Sequence, residues 1–475
     1  MQPGFEPNSN VAELEHLKRA YATQRDAYNA APFAGEALRR ERLEKLRTLL
    51  LTHTDEIATA ISADFGHRSP HETRSLEVFP SLAGISHALS HLKRWMRVRR
   101  RGVSIWFWPA SNHVIPQPLG VVGIIVPWNY PLFLAVGPLT VALAAGNRAV
   151  IKISEFTPRF GETFRQLVAK YFSEDEVTVV NGGVEVAQVF ASQPWDHLLF
   201  TGSTSVGKHV MRAAADNLTP VTLELGGKSP TIVHGDYPID TAAQRILFGK
   251  CLNAGQTCVA PDYVLVQEGK EEAFVAAAKA VVARWYPNMA SNPDYSRVVN
   301  GRHLERLQGY LRDAESKGAR VVPLADCDPA SGKLAPTLVL GATNEMTVMQ
   351  DEIFGPVMPV LGYKTLDDAI KLVNDRPRPL ALYYFDNDNT RIRKMVSSTI
   401  SGGVGINETV VHVGQDDLPF GGVGPSGMGH YHGHEGFETF SKMKPVFAQS
   451  RLNGLWLMHP PYGKRFERLI KFMMR

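Results

Sequence analysis

The sequence predicts an α/β protein with two parallel-sheet domains and one β-hairpin that projects from the first of them. Short apolar runs rich in β-branched residues alternate with helical segments between residues 121 and 226, and the alternation resumes after residue 258. Strands that alternate with helices at this spacing are typical of parallel βαβ units whose sheet is covered on both faces. An aromatic-rich stretch at 101–117 fits neither domain.

The first domain is predicted to begin with helices, because apolar residues recur at helical spacing. These helices are expected at Val11–Tyr28, at Ala37–Leu51 and in a third segment that ends before Gly66. The strands predicted next are Val121–Val126, Ala149–Ile153, Val177–Val180, His197–Phe200 and Val221–Glu224. The helices predicted between them are Leu132–Ala145, Pro158–Tyr171, Val184–Ala191 and Ser205–Ala215.

The second domain is predicted to meet the first near Gly226–Gly227. Its predicted strands are Tyr263–Val266, Leu380–Phe385 and Gly403–Ile406. Its predicted helices are Glu272–Trp285, Leu366–Val373 and Thr390–Ser397.

Residues 101–117 are predicted to form the projecting β-hairpin. They contain an aromatic run, a Pro-Ala-Ser-Asn turn and a second extended run. An exposed hairpin that carries Ile105, Trp106, Phe107 and Trp108 invites aggregation unless another surface covers it. A subunit interface is the expected cover.

Two segments bear on membrane contact. The stretch between His113 and Arg148 has no charged residue, but prolines interrupt it, so a strand, a loop and a buried helix explain it better than a bilayer span. The basic, amphipathic segment Lys464–Arg475 is too short to span a bilayer. Such a tail either touches a membrane surface or packs on the protein, and packing is expected.

The composition is that of an ordinary globular protein of two or three domains. The chain has 475 residues, of which 44% are hydrophobic and 21% are charged. A net charge of +4 gives no argument for nucleic-acid binding. The three cysteines, Cys251, Cys258 and Cys327, are too few for a disulfide framework and lack zinc-ligand spacing. A reducing compartment, the cytoplasm, is therefore expected.

Cys258 is the leading candidate for a reacting group. It lies in Asn253-Ala-Gly-Gln-Thr-Cys258, where small residues allow a substrate to approach closely. Glu224 precedes Cys258 by 34 positions, and a carboxylate brought near a thiol can act as a base. The pair suggests covalent catalysis through sulfur. Asn129, in a proline-flanked loop after a predicted strand, either stabilises a developing oxyanion or caps the helix that follows.

Two further segments suggest a nucleotide site. Phe200–Lys208 follows a predicted strand and opens a helix, so its free N–H groups can bind an anion. It departs from the phosphate-binding loop of nucleotide hydrolases, because His209 replaces the hydroxyl residue needed for magnesium. A plain strand-to-helix turn explains it equally well. Lys152 and Glu155 lie at the end of a predicted strand, either as ribose ligands or as an exposed surface pair.

The remaining motifs are Glu352-Ile-Phe-Gly-Pro356 and the glycine-rich segment Leu418–Gly429. Glycines in such a segment indicate that the backbone approaches something closely. His430, His432 and His434 are spaced like metal ligands, but no acidic or cysteine pattern accompanies them. No metal site is expected there.

Taken together, these segments resemble the aldehyde dehydrogenase superfamily from about Leu14 to Pro461. Ala260-Pro-Asp-Tyr-Val264 and Ser426–Gly433 look like the class 3 branch, in which the chain is most similar to bacterial coniferyl-aldehyde dehydrogenases. The motifs in the family's order are Pro-Trp-Asn, Lys-x-x-Glu, Phe-Thr-Gly-Ser, Leu-Glu-Leu-Gly-Gly-Lys, Gly-Gln-Thr-Cys, Glu-Ile-Phe-Gly-Pro and Pro-Phe-Gly-Gly-Val-Gly.

The resemblance implies oxidation of an aldehyde, of the aromatic, coniferaldehyde type, to the acid with NAD, or with NADP as the alternative. It implies that Cys258 is the nucleophile, that Glu224 is the general base, and that Asn129 and the Cys258 N–H hold the oxyanion. The cofactor contacts that it implies come from Lys152, Glu155, Gly202, Ser203, Gly207, Glu352 and Phe354.

The resemblance also implies a domain order and a homodimer. Residues 1–99 and 119–226 are expected to form a Rossmann-like NAD(P)-binding domain, and residues 227–425 the catalytic domain. Residues 100–118 and 440–451 are expected to form the oligomerisation element, followed by a tail at 452–475.

Several alternatives stay open. Ile153 stands where the family often has proline. The orientation of the Glu155 carboxylate and the choice between NAD and NADP therefore stay open. Tyr130 and Trp128 either face a planar phenylpropenal or belong to the core. The other activities considered are oxidation of medium- or long-chain aliphatic aldehydes, acyl transfer to coenzyme A, nucleotide hydrolysis and a non-catalytic binding role.

Overall fold

The computed structural model describes residues 7–474, and the ends of the first predicted domain and of the tail, residues 1–6 and 475, lie outside that range. The strands are β1 (Arg99–Arg101), β2 (Ser111–Pro118), β3 (Val121–Ile125), β4 (Arg148–Lys152), β5 (Val177–Val180), β6 (His197–Gly202), β7 (Val221–Leu225), β8 (Pro230–Val233), β9 (Tyr263–Gln267), β10 (Arg320–Pro323), β11 (Thr337–Leu340), β12 (Val357–Tyr363), β13 (Ala381–Phe385), β14 (Gly403–Ile406), β15 (Gly427–Met428) and β16 (Ser441–Ala448).

The α-helices are α1 (Pro7–Ala30), α2 (Glu36–Phe65), α3 (Pro70–Thr73), α4 (Phe79–Trp95), α5 (Phe133–Ala145), α6 (Pro158–Tyr171), α7 (Val184–Ala191), α8 (Thr204–Ala215), α9 (Ile239–Cys251), α10 (Glu271–Trp285), α11 (Gly301–Ser316), α12 (Thr347–Gln350), α13 (Leu366–Asn374), α14 (Asn389–Ser398), α15 (Gly433–Thr439) and α16 (Lys464–Met473). A π-helical turn, Arg74–Val78, joins α3 to α4.

The first sheet has the strand order β15-β7-β6-β3-β4-β5. Strands β3 to β7 are parallel and β15 is antiparallel to β7. The α/β prediction is therefore confirmed, and the five predicted strands coincide with β3 to β7. The chain turns back between β3 and β6, and the loops after these two strands meet at the carboxyl edge where doubly wound sheets bind ligands.

The second sheet has the strand order β10-β11-β12-β9-β8-β13-β14 and is parallel except for β10. The largest cluster of buried apolar side chains includes residues of α2, α4 and α5 and also residues of β9 and β13. One continuous hydrophobic core therefore joins the two sheets, and the side chains that form it are buried.

The predicted hairpin is wrong in its first arm. The aromatic run forms a 3₁₀ turn, Ile105–Phe107, and the strand that pairs with β2 is the earlier β1. Gly102 and Pro109 bracket the run, and proline has no N–H to give to a ladder. On its other edge β2 pairs antiparallel with β16 from Ser441 to Ala448, which makes a third, three-stranded sheet.

The N-terminal helices also differ from the prediction. The two segments expected between Ala37 and Gly66 form the single helix α2, with one non-helical residue, His53, at φ −116° and ψ 20°. The uncharged stretch after His113 consists of the end of β2, β3, a loop and the buried helix α5, as predicted. No helix within residues 7–474 is long and apolar enough to cross a membrane.

A buried ion pair holds the loop that follows β3. The side chains of Arg68 and Glu77 are both fully buried, and Arg68 Nη1 donates to Glu77 Oε1 at 2.5 Å. The other carboxylate oxygen of Glu77 accepts the backbone N–H groups of Leu132 (2.8 Å) and Phe133 (3.1 Å). Arg68 also donates to the Asn129 carbonyl at 3.3 Å. Two charges far from water thus fix the backbone on both sides of this loop.

Removing one member of this pair is expected to destabilise the fold strongly. In Arg68→Met the Glu77 carboxylate stays buried without its counterion, and breaking a buried pair in this way costs about 3–5 kcal/mol. Thermal unfolding of the full chain measures the loss as a lowered Tm. The matched control is Arg74→Met, whose partner Asp55 is 83% exposed; an exposed pair contributes about 0–1 kcal/mol. Equal Tm shifts in the two variants would contradict this assignment.

Candidate active site

Cys258 lies at the end of a loop whose backbone is locally strained. After α9 the chain passes through the left-handed region at Asn253 (φ 49°), Ala254 (φ 51°) and Gly255 (φ 72°). Strained backbone of this kind persists only where the surroundings enforce it, and it clusters at functional sites. A Cβ at Gly255 would lie 2.4 Å from the Gly355 carbonyl oxygen, so glycine lets this loop touch the Glu352–Pro356 segment.

Buried hydrogen bonds hold this loop. Asn253 Nδ2 donates to the carbonyls of Asn129 (3.0 Å) and Gln256 (3.2 Å). Gln256 Nε2 donates to the carbonyl of Arg297 at 3.0 Å. Glu72 accepts the backbone N–H of Asn253 at 2.8 Å. Sequence reasoning assigned no role to Glu72, Asn253 or Gln256, since nothing in their local pattern distinguishes them from other polar residues.

Asn129 is brought to the Cys258 loop. Its side-chain Nδ2 donates to the Gln256 carbonyl at 3.2 Å, and the residue is almost fully buried. The helix that follows, α5, begins at Phe133 and has no side-chain cap, so the capping alternative is wrong. An amide has two N–H groups, and one of them is free of the Gln256 contact. The geometry therefore leaves a fixed donor beside the cysteine loop.

Glu224 lies on β7 and is almost fully buried. Neither carboxylate oxygen has a hydrogen-bond partner within the described chain. Burial raises the pKa of Glu224 well above its usual value, because no nearby positive charge compensates the desolvation. The glycine-rich segment packs directly on this strand. A Cβ at Gly427 would lie 2.1 Å from the Leu223 carbonyl, so only glycine allows this approach.

Cys258 and Glu224 line the same cavity, which has a volume of about 370 Å³. Its walls are apolar and rich in aromatic rings. The aromatic side chains that line it are Phe79, Tyr130, Phe133, Phe248, Phe420 and Tyr431. Val410, at φ 67°, is a β-branched residue in a strained conformation on the same wall. The arrangement offers an aromatic-walled, largely apolar cavity that is also lined by a thiol and a carboxyl group.

The two aromatic residues considered from the sequence have different positions. Tyr130 lines the cavity, and its hydroxyl is hydrogen-bonded to Thr257 at 2.6 Å. Trp128 is not among the lining residues. Its ring packs against Phe354 at 5.4 Å and His303 at 5.1 Å. Of the two positions left open for these rings, the cavity wall is that of Tyr130, whereas Trp128 packs outside the cavity.

The surroundings of Cys258 favour its neutral thiol form over the thiolate. Burial raises its pKa to about 12, and the negative charges of Glu352 and Glu224 act in the same direction. Burial also raises the pKa of Glu352 to about 8. A Cβ at Gly226 would lie 2.1 Å from a Glu352 carboxylate oxygen, so glycine lets this side chain lie against the junction of the two sheets.

Lys152 and Glu155 are not an exposed pair, which rules out the surface alternative. Lys152 is almost fully buried, and its Nζ donates to the carbonyls of Ile153 (2.6 Å) and Gly182 (2.7 Å). Burial lowers the pKa of Lys152 to about 8, and Glu155 opposes that shift. Two of the three ammonium protons are used, so one donor is left at the carboxyl edge of the first sheet.

The segment after β6 begins helix α8 with free backbone N–H groups. Ser203 is the N-cap, and its Oγ accepts the N–H of Val206 at 3.4 Å. Close packing alone explains why glycine stands at Gly202 and Gly207. Added Cβ atoms there would lie 2.5 Å from the Phe200 ring and 2.7 Å from Leu225. Gly207 thus seats α8 on β7, and the helix start rather than that glycine offers the anion site.

The histidines at 430–434 do not converge. His432 is buried and stacks on Phe420, whereas His434 contacts Arg99 and Glu438. Among residues 7–474, no three His, Cys, Asp or Glu side chains form a group that could hold a metal ion.

Comparison with known proteins shows the family to which the chain belongs. The model of the aldehyde dehydrogenase family matches residues 8–446. The chain is 55% identical to the "Probable coniferyl aldehyde dehydrogenase" of Pseudomonas aeruginosa over 96% of each chain. It is 46% identical to the coniferyl aldehyde dehydrogenase of Pseudomonas sp. strain HR199, over 97% of this chain and 95% of that protein.

Among solved structures, the chain is similar to P. syringae AldA, an indole-3-acetaldehyde dehydrogenase in complex with NAD+ and IAA. The TM-score is 0.84 at 26% identity, over 92% of this chain and 89% of that chain. A family match over most of the chain, relatives above 45% identity and a shared fold lead to one conclusion: this protein belongs to the aldehyde dehydrogenase family.

Proposed function

We propose that this aldehyde dehydrogenase oxidises an aromatic aldehyde of the coniferaldehyde type to its carboxylic acid. The observation that carries the proposal is the aromatic-walled cavity that ends at Cys258 and Glu224. Flat rings on several walls suit a planar, conjugated substrate, because aromatic pairs contribute about 0.5–1.5 kcal/mol beyond burial. The names of two relatives, at 55% and 46% identity, point to the same substrate.

The cofactor proposed is NAD, with NADP as the alternative. Buried Lys152 has one unused donor, Glu155 is a half-buried carboxylate beside it, and the first turn of α8 after Ser203 presents backbone N–H groups. These groups fit a ribose followed by a pyrophosphate. A groove of about 760 Å³ is lined by the start of α8, by Gly226 and by Glu352. Glu352 would hold the second ribose, and Phe354 would pack beside the nicotinamide.

In the first half-reaction the Cys258 thiol gives up its proton to solvent, Sγ forms a bond to the aldehyde carbon, and the carbonyl π electrons move to oxygen. The thiolate becomes favoured only when a positive charge lies beside the sulfur and offsets burial. The oxyanion accepts hydrogen bonds from the free Asn129 N–H and the backbone N–H of Cys258, and loss of one such donor costs about 3 kcal/mol. When bound, NAD+ would accept the hydride that leaves the former aldehyde carbon as the thioester forms.

In the second half-reaction Glu224 acts as the general base. Its carboxylate accepts a proton from water, the water oxygen bonds to the thioester carbon, and the C–S bond breaks with return of a proton to sulfur. Glu224 must be ionised to act, and burial raises its pKa. Hydrolysis of the thioester is therefore expected to accelerate as the pH rises through that raised pKa.

The other activities have less support. Aliphatic aldehydes would fill the cavity but would not stack on its aromatic rings. Transfer to coenzyme A is disfavoured by the buried, unpartnered Glu224, which serves water rather than a second thiol. Family membership argues against nucleotide hydrolysis and a non-catalytic role. A cytoplasmic location rests on the three free cysteines alone.

We propose a homodimer for the same protein. Ile105 and Trp108, beyond β1, are 76% and 69% exposed, which is unusual for large apolar side chains clustered on one turn. Trp106 contacts Phe472 of α16, so the tail lies beside this turn. A second copy would cover this patch.

Coniferaldehyde is expected to be a better substrate than a saturated aldehyde of similar length. With NAD+ in excess, kcat/KM for coniferaldehyde should exceed that for hexanal by about tenfold or more, because ring contacts contribute about 0.5–1.5 kcal/mol each. Steady-state formation of NADH with both aldehydes measures this. Cys258→Ser should abolish both activities, whereas Cys327→Ser should retain them. Equal efficiency with hexanal would contradict the aromatic assignment.

Glu224→Gln is expected to stop the reaction after the first turnover. The first equivalent of NADH should form, whereas steady-state turnover should fall by about a hundredfold or more, the range for loss of a general base. The rise of turnover with pH should also disappear. Rapid mixing with coniferaldehyde and NAD+ measures both phases, with exposed Glu315→Gln as the control. If the first-turnover formation of NADH and the steady-state rate fell by the same factor, a role of Glu224 confined to hydrolysis would be excluded.

Ile105→Glu is expected to weaken the dimer, because a charge would be buried where the patch is covered. Sedimentation velocity at micromolar concentration should give the dimer mass for the wild type and a shift toward the monomer for the variant. Leu51→Glu, which alters an apolar residue 57% exposed on α2, is the matched control. A monomeric wild type would overturn the proposal.

A further inference from the structure

The hydroxyl of Tyr431 is a buried polar group that the mechanism above does not use. Tyr431 is 1% exposed, its ring lines the cavity that contains Cys258 and Glu224, and its hydroxyl has no hydrogen-bond partner in the described chain. Leaving such a group unpaired costs free energy that a core phenylalanine would avoid. The other cavity tyrosine, Tyr130, differs because its hydroxyl is paired with Thr257.

The ring of Tyr431 is held firmly, so its hydroxyl has a defined position. The ring meets Phe420 edge-on at 6.0 Å and His432 at 4.6 Å. A Cβ on Gly137 of α5 would lie 3.1 Å from the ring, which leaves no room for it to move toward that helix. The glycine-rich segment before it packs on β7, the strand that carries Glu224.

The hydroxyl lies near the reacting groups. Burial raises the pKa of Tyr431 well above its usual value, and ionisation of Glu224 or Cys258 would raise it further, so both groups lie close enough to act on the hydroxyl. Glu224 also has two unpaired oxygens on the same cavity wall. A water molecule in an apolar chamber needs two or more polar partners to be held in one orientation. The Glu224 carboxylate provides one hydrogen-bond partner for such a water. A phenol hydroxyl can be the second partner, as donor or as acceptor.

We propose that Tyr431 is a positioning residue that holds, together with Glu224, the water that hydrolyses the thioester. The inference rests on the proposed thioester mechanism. One O–H of the water is directed at the Glu224 carboxylate, and the Tyr431 hydroxyl is the second hydrogen-bond partner. The water oxygen then bonds to the thioester carbon, its proton passes to Glu224, the C–S bond breaks, and the carboxylic acid leaves. Tyr431 itself neither gains nor loses a proton in this step.

The test separates the two half-reactions in Tyr431→Phe, which keeps the ring and removes only the hydroxyl. Full-length enzyme is mixed with NAD+ and coniferaldehyde, and NADH formation in the first turnover is followed by absorbance. Intact-protein mass spectrometry of quenched samples follows the acylated fraction. The first-turnover rate should stay within about twofold, whereas decay of the acylated enzyme should slow by about tenfold, the effect of one hydrogen bond.

The matched control is Tyr363→Phe, which removes a hydroxyl that donates to the Val233 carbonyl at 2.9 Å on the second sheet. It should leave both rates unchanged. Unchanged decay of the acylated enzyme in Tyr431→Phe, or an equal loss of both rates, would overturn the inference. If the wild type and Glu224→Gln never carry an acyl group, the proposed function itself fails, and that outcome is distinct from either of these.

Discussion

The geometry of the site depends on buried charges in one short helical segment. Arg68, Glu72 and Glu77 lie around α3 and the π-helical turn after it, and all are nearly inaccessible to water. Arg68 and Glu77 hold the backbone around Asn129, whereas Glu72 holds Asn253. Asn129 and Cys258, the proposed oxyanion donor and nucleophile, are 129 residues apart in the chain, and this group of buried side chains holds the loops of both. Desolvated charges of this kind enforce one arrangement, because any loosening leaves a charge unpaired.

The same exclusion of water determines the chemistry of the cavity. Burial raises the pKa values of both Cys258 and Glu224, so exclusion of water favours the neutral thiol and the neutral acid over their charged forms. Under the proposed mechanism Glu224 must lose its proton before hydrolysis, so turnover would depend on pH.

Much of the fold could be predicted because its signals are local. The five parallel strands of the first sheet are short β-branched runs between recognisable helices, and the motifs of the site stand at their carboxyl ends. Strands β8, β10 and β12 each contain a proline, and β11 has only four residues, so the sequence does not predict them. The aromatic run is predicted as a strand but forms a 3₁₀ turn between Gly102 and Pro109. Arg68, Glu72 and Tyr431 could not be assigned, because only tertiary contacts distinguish them.

The central claim is that Cys258 carries the acyl group between two separate half-reactions. Peptide mapping of Glu224→Gln tests it most directly. The variant is incubated with coniferaldehyde and NAD+, quenched in acid, digested and analysed by mass spectrometry. The account predicts the mass of the corresponding acyl group on the peptide that contains Cys258, in amounts that match the NADH formed. NADH without any modified Cys258, or an acyl group on Cys251 or Cys327 instead, would contradict it.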